Sequence, residues 1–183
     1  REVGNSDDPL EPVRQRKHVN HYQQLQWKHN IDSDSEINVQ LYHNLHKAED
    51  TFNTPQLAVA AFGLTFPRNT SVESERYELE FSHRFRLSEM VRMVWGAALR
   101  EDIVTAGDVF DLGEEYQLHL SRLYFNGEWK PASRWVVNLG DMVEQSNLTD
   151  SLHSPRLAIN RMFGDSGYMR VSAGRAYRLP TAF

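Results

Sequence analysis

Apolar and polar residues alternate with a period of two along most of the chain. In "RYELEFSHRFRL" (76–87), Tyr77, Leu79, Phe81, Phe85 and Leu87 fall on one side, and Glu78, Glu80, Ser82, Arg84 and Arg86 on the other. A helix would scatter that pattern around its axis, whereas an extended strand separates it into an apolar and a charged face. The same alternation gives Ile37, Val39, Leu41 and Leu45 against Asn38, Gln40 and Asn44, and Val91, Met93, Trp95 and Leu99 against Arg92 and Arg100. It continues through Trp135, Val137 and Leu139, then Leu157, Ile159 and Phe163, then Met169, Val171 and Ala173. The most polar stretch, "HVNHYQQLQWKHNI" (18–31), keeps Leu25, Trp27 and Ile31 in phase. In "EYQLHLSRLYFNGEW" (115–129) the apolar positions move from Tyr116, Leu118 and Leu120 to Leu123, Phe125 and Trp129. A β-bulge near Ser121–Arg122 is expected to absorb that change of phase.

These runs predict an all-β, antiparallel up-and-down meander of eight strands, at about 18–31, 36–47, 75–87, 90–102, 115–130, 134–147, 154–163 and 168–178. Four connections are tight: 32–35, 88–89, 132–133 and 164–167, rich in the Asp, Ser and Gly that hairpin turns favour. The connections between them are longer, at roughly 48–74, 103–114 and 148–153, and "LAVAAFGLTF" (57–66) reads either as a further short strand or as loop. Tight turns therefore lie on one edge of the sheet and loops on the other, as in transmembrane β-barrels. The strands are also longer than the usual five or six residues of soluble sheets. Trp27, Trp129 and Trp135 sit near the tight-turn edge, where an interfacial aromatic girdle belongs. Periodicity alone leaves two classes open: a membrane barrel, and a soluble β-sandwich or small barrel acting as a binding module.

The remaining composition narrows the chemistry. A formal net charge of −5 with scattered Lys and Arg does not point to nucleic acid. The absence of cysteine excludes a disulfide scaffold and any Cys-ligated metal site. No run of 18 apolar residues exists to make a membrane-spanning helix. His43 and His46 are three apart, so on a strand they point to opposite faces and cannot share an ion. No H-E-x-x-H or G-x-S-x-G occurs, so no catalytic residue, metal ligand or cofactor is expected. The polar segment 1–17 reads as loop or linker, and 18–183 as one β domain.

Three stretches in order carry a resemblance. "RYELEFSHRFRLSEMVRMVWGAALRED" is followed by "RLYFNGEWKPASRWVVNLGDMVE" and by "SPRLAINRMFGDSGYMRVSAGRAYRLPTAF". The acidic-Trp-Lys-Pro turn, the "NLG" strand, the Ser154-Pro155-Arg156 start and the closing "GRAYRLPTAF" resemble the barrel of TonB-dependent outer-membrane receptors. "NHYQQLQWKHNIDSDSEINVQLYHNL" is similar to another hairpin of that barrel, so the likeness covers about 18–183. It implies part of the wall of a large, plugged barrel in the outer membrane of a Gram-negative bacterium. It further implies uptake of a scarce ligand such as a ferric siderophore, contact with outer-membrane lipid, and energy from TonB through an N-terminal plug outside this chain. The chain, which starts without Met, is then expected to be an excised piece with further strands beyond Phe183. On this reading Glu78, Glu80, Arg84, Arg86, Arg92 and Arg170 line the lumen and touch the plug. Arg100, His119 (above the expected bulge) and Arg178 become ligand contacts near the loop edge.

Overall fold

Strands dominate the computed structural model, which describes residues 2–4, 12–55, 65–107, 115–164 and 166–177. The long ones are β3 (Lys17–Asp32), β4 (Ser35–Glu49), β7 (Val72–Ser88), β8 (Val91–Ala106), β9 (Glu115–Ala132), β10 (Trp135–Ser146), β12 (Arg156–Phe163) and β13 (Gly167–Gly174). Short ones are β1 (Glu2–Val3), β2 (Arg14–Gln15), β5 (Thr51–Pro55), β6 (Thr65–Asn69) and β11 (Leu152–His153). The eight long strands are the eight that alternation predicts, and they form one sheet in meander order, β13-β12-β10-β9-β8-β7-β4-β3, with β11 added beside β10. Strands β3 and β13 end that order, and no pairing joins them among the described residues.

Three tight turns occupy 33–34, 89–90 and 133–134, each within a residue or so of its expected place. In the fourth, Gly164 has φ 63°, left-handed backbone that a residue with a β-carbon adopts only under strain. The long connections are not plain loops. Residues of the 48–74 connection pair as β5–β6, from Thr51↔Asn69 to Pro55↔Thr65. Of the 57–66 segment, residues 57–64 lie outside the described residues, and 65–66 open β6. Within 1–17, Glu2 and Val3 pair with Gln15 and Arg14.

The bulge is not where the sequence pattern puts it. Strands β9 and β10 pair without interruption from Gly127↔Leu139 to Leu120↔Ser146, straight through Ser121–Arg122. The register shifts instead between Trp135 and Val137, opposite Ala132 and Trp129, where Pro131 has no amide hydrogen to give the ladder. What changes at residues 121–122 is which face is apolar, not which way the side chains point. Leu118 and Leu120 are buried, at 8% and 5% exposure, whereas Leu123, on the other face, is 55% exposed.

Two units divide the chain. One comprises 1–23, 42–77 and 102–117, the other 24–41, 78–101 and 118–183. Among the described residues of the first, the buried apolar ones are small, namely Ala48, Val104 and Ala106. In the second they are Ala98, Leu118, Leu120 and Ala158, a thin core for so many strands.

Candidate functional site

Within the second unit one face of the sheet bounds a cavity of about 890 Å³. Its wall draws on β3, β4, β7, β8, β9, β10, β12 and β13, so this face is concave. Even-numbered positions of each strand supply its side chains, which is the charged side of the alternation. Five arginines line it, Arg84, Arg86, Arg92, Arg156 and Arg170, facing Asp32, Asp34, Glu36 and Glu128.

Most of these charges are already matched. Arg84 lies 3.2 Å from Glu36, Arg86 3.0 Å from Asp34, and Lys130 3.2 Å from Glu128. Asp32 accepts the Asp34 amide hydrogen at 2.7 Å. Toward the loop ends, Arg122 donates to Glu144 at 2.9 Å and lies 3.9 Å from Glu78. The Tyr124 hydroxyl donates to Glu80 at 2.7 Å.

Two side-chain contacts on this face cross an intervening strand at a glycine. Tyr124 on β9 reaches Glu80 on β7 by lying over Gly96 of β8, where an added β-carbon would stand 2.5 Å from the tyrosine ring and 2.6 Å from the Phe81 carbonyl oxygen. Arg156 on β12 donates to Asn126 on β9 across Gly140 of β10, which pairs with both residues. A β-carbon at Gly140 would meet the Asn126 oxygen at 2.6 Å and the Arg156 Nε at 2.9 Å.

The residues singled out from the sequence therefore separate. Glu78, Glu80, Arg84 and Arg86 are satisfied within the wall. Arg92 and Arg170 line the cavity with no acidic partner among the described residues. Arg156 belongs with them, since its partner Asn126 is neutral. Sequence reading took Arg156 only as a strand start, and the register of Gly140 is what reveals its reach. Arg100 lies on the same side of β8 as Arg92, half-buried and engaged within the protein. His119 is a correction. With no bulge at 121–122 it shares the face of Leu123, opposite the cavity side, where its Nδ1 lies 3.5 Å from Glu101. Arg178 lies outside the described residues. His43 and His46 do point apart: His43 meets Glu75 at 2.8 Å and stacks on Tyr77, while His46 contacts Asn20.

The face opposite the cavity is largely apolar and exposed, with the His119–Glu101 contact toward its loop end. Leu25, Ile31, Leu79, Leu87, Leu99, Leu123, Leu139, Ile159 and Val171 all lie exposed on it. All four tryptophans, Trp27, Trp95, Trp129 and Trp135, stand on this face near the tight turns. Arg161 lies over the Trp135 ring, 4.9 Å from its centre. His83, a polar residue amid these side chains, bonds Ser35 Oγ at 2.9 Å and stacks on Phe85.

The first unit holds a different cluster. Asp50 is buried and receives Arg14 through both carboxylate oxygens, at 2.6 and 2.9 Å, and the Thr70 hydroxyl at 2.8 Å. Arg14 also covers the Phe52 ring at 3.7 Å. Hydrogen bonding from the Arg14 guanidinium holds the Asp50 carboxyl below the usual carboxylate range, against the opposing effect of burial. The cluster ties β2 to the base of the β5–β6 hairpin.

No protein-family model matches the sequence, and no curated protein does. The fold does have a solved counterpart. It is similar to the siderophore receptor PirA from Pseudomonas aeruginosa, with a TM-score of 0.59 at 12% identity. The match covers 91% of this chain and 36% of that one, so the chain spans about a third of the receptor's length. At that identity the likeness establishes the fold. The sheet is arranged as a stretch of receptor-type β-barrel wall.

Proposed function

We propose that this chain is part of the wall of an outer-membrane receptor that imports a scarce ligand, a ferric siderophore, with energy delivered through TonB to the whole protein. The observation that carries the reading is the contrast between the two faces of the second unit. One is charged and lines a cavity, and the other exposes leucines, isoleucines and a belt of tryptophan. Eight residue steps from Leu79 to Leu87 span about 26 Å of strand, or about 20 Å at a tilt near 40°, close to the apolar band of an outer-membrane barrel. A soluble small barrel would bury its apolar face and pair its end strands.

In the complete receptor the charged face lines the lumen and meets the plug, and Arg100 and Arg178 contact the ligand near the loops. His119 leaves that group, because it stands on the lipid-side face. The test takes the full-length gene. Its product is expected to fractionate with outer membranes, and its deletion to abolish TonB-dependent uptake of a radiolabelled ferric siderophore in iron-starved cells. A soluble periplasmic product would overturn the reading.

A further inference from the structure

Within the first unit, neighbouring strands bring two histidines together. His18 on β3 and His46 on β4 have ring centres 5.9 Å apart, with the planes tilted by 39°. His43 stacks on Tyr77, which belongs to the apolar face, so His46, three residues on, stands on the polar face of β4. His18 is exposed there and His46 half-buried. Because the two lie on different strands, no local motif announces them.

Their arrangement suits a metal ion. Two imidazoles that hold one ion at about 2.0–2.1 Å with a tetrahedral angle have ring centres about 5 Å apart. The observed 5.9 Å is within about 1 Å of that, a movement that side-chain torsions on exposed strands supply. Asn20 meets the second requirement. Its Oδ1 can only accept, so the Nδ1 of His46 that contacts it carries the proton. The Nε2 of His46 then keeps its lone pair, the form in which imidazole ligates, and the amide orients the ring.

Among the described residues no third His, Cys, Asp or Glu completes a cluster with them. Two protein ligands leave the other coordination positions to water or to a chelator that travels with the ion. Imidazole nitrogen favours borderline transition metals, Cu2+ before Ni2+ and Zn2+, over Mg2+ and Ca2+, which take oxygen ligands. The pair on the other face is unlike this one. His21 and His43 have ring centres 6.4 Å apart at 63°, and the Nε2 of His43 is engaged by Glu75 at 2.8 Å.

We propose that His18 and His46 form a two-imidazole site for a divalent transition-metal ion, Cu2+ above all, whose remaining coordination positions lie outside the protein. The site goes beyond the receptor reading and stands without it.

The test uses this chain in detergent at about pH 7.5, where free imidazole is neutral, with copper(II) iminodiacetate as probe. Electron paramagnetic resonance reads both the bound fraction and the nitrogen ligands. The parent is expected to bind one equivalent and to add two imidazole nitrogens to the copper. His18→Gln and His46→Gln should each weaken binding about tenfold or more and leave one added nitrogen, because a second tethered ligand acts at high effective concentration. His21→Gln with His43→Gln should cost less than about twofold. Copper is also expected to raise the urea midpoint of the parent by mass action. In His18→Gln, an exposed position, the metal-free midpoint should match the parent's while the rise with copper is lost, which separates lost ligation from misfolding. No binding by the parent, undiminished binding by His18→Gln, or an equal loss in the His21 and His43 double variant would overturn the proposal.

Discussion

Gly96 and Gly140 show how much of this wall depends on the absence of a single carbon. At Gly96 an added methyl group meets both the Tyr124 ring and the backbone oxygen of Phe81, and backbone has little room to yield. Gly96→Ala is therefore expected to destabilise the folded wall by about 1–3 kcal/mol. Gly127 serves as control, because a β-carbon there approaches nothing closer than 3.9 Å. Thermal unfolding in detergent should show a lowered midpoint for Gly96→Ala and an unchanged or raised one for Gly127→Ala. Equal shifts would refute the packing argument.

Asp50 carries a second prediction at the same scale. Its carboxyl is depressed mainly by Arg14, so it binds its proton more weakly folded than unfolded. Its contribution is then fully present above the ordinary carboxylate value of about 3.9 and is lost as pH falls through the depressed folded value. Asp50→Asn removes that contribution. The stability gap between parent and variant, read from urea midpoints, is expected to be wide near neutrality and to close below about pH 4. A gap of constant width would refute it.

At the scale of elements, the faces of β7 and β10 predict opposite tolerances. Phe81→Lys or Val137→Lys in the full-length protein places a charge on the bare apolar face, costing about 2–4 kcal/mol near the bilayer midplane. Arg84→Gln alters the cavity face and removes one exposed ion pair, worth about 1 kcal/mol or less. Assembly in membranes, read as the heat-modifiable fraction on gels, should fall for the lysine variants and change little for Arg84→Gln. Similar losses on both faces would refute the assignment.

The strands were legible because alternation is a property of adjacent residues: Tyr77 to Leu87 declares its two faces without reference to any other strand. The turns were legible for the same local reason. The placement of the bulge was not. Leu120 followed by Leu123 looks like a slipped register, and the register shows an unslipped strand whose inner and outer environments exchange character. Only the pairing with β10 separates those cases. Pro131 was the local signal that could have placed the shift. The candidate site was half legible. Alternation placed Arg92 and Arg170 on the charged face, but whether a cation is neutralised depends on residues such as Glu36, 48 positions from Arg84, and no sequence period encodes that. Arg156 was missed because its reach depends on a glycine in another strand.

For the whole molecule, the end strands β3 and β13 and the uncovered apolar face make one prediction together. An open sheet edge is a template for further pairing, and so large an apolar surface is poorly tolerated in water. The chain alone is expected to sediment as heterogeneous aggregates without detergent and as a small, β-rich species with it. Analytical ultracentrifugation in both conditions decides. A detergent-free, concentration-independent monomer would point to the soluble small-barrel alternative.

The tyrosine that crosses Gly96 has one more consequence. Strands whose faces merely alternate can slide past each other by two residues and still keep apolar side to apolar side. Here a slide of two on β8 would bring Val94 or Ala98 beneath Tyr124, each with a β-carbon where the ring lies. The notch thus proofreads the pairing of β9 as it is laid down, with Glu80, two strands away, confirming the position. It also makes the two sites unequal. Tyr124 can be replaced with Gly96 kept, but a residue that fills the notch would still meet the Phe81 carbonyl oxygen at 2.6 Å, so Gly96 is expected to outlast its tyrosine.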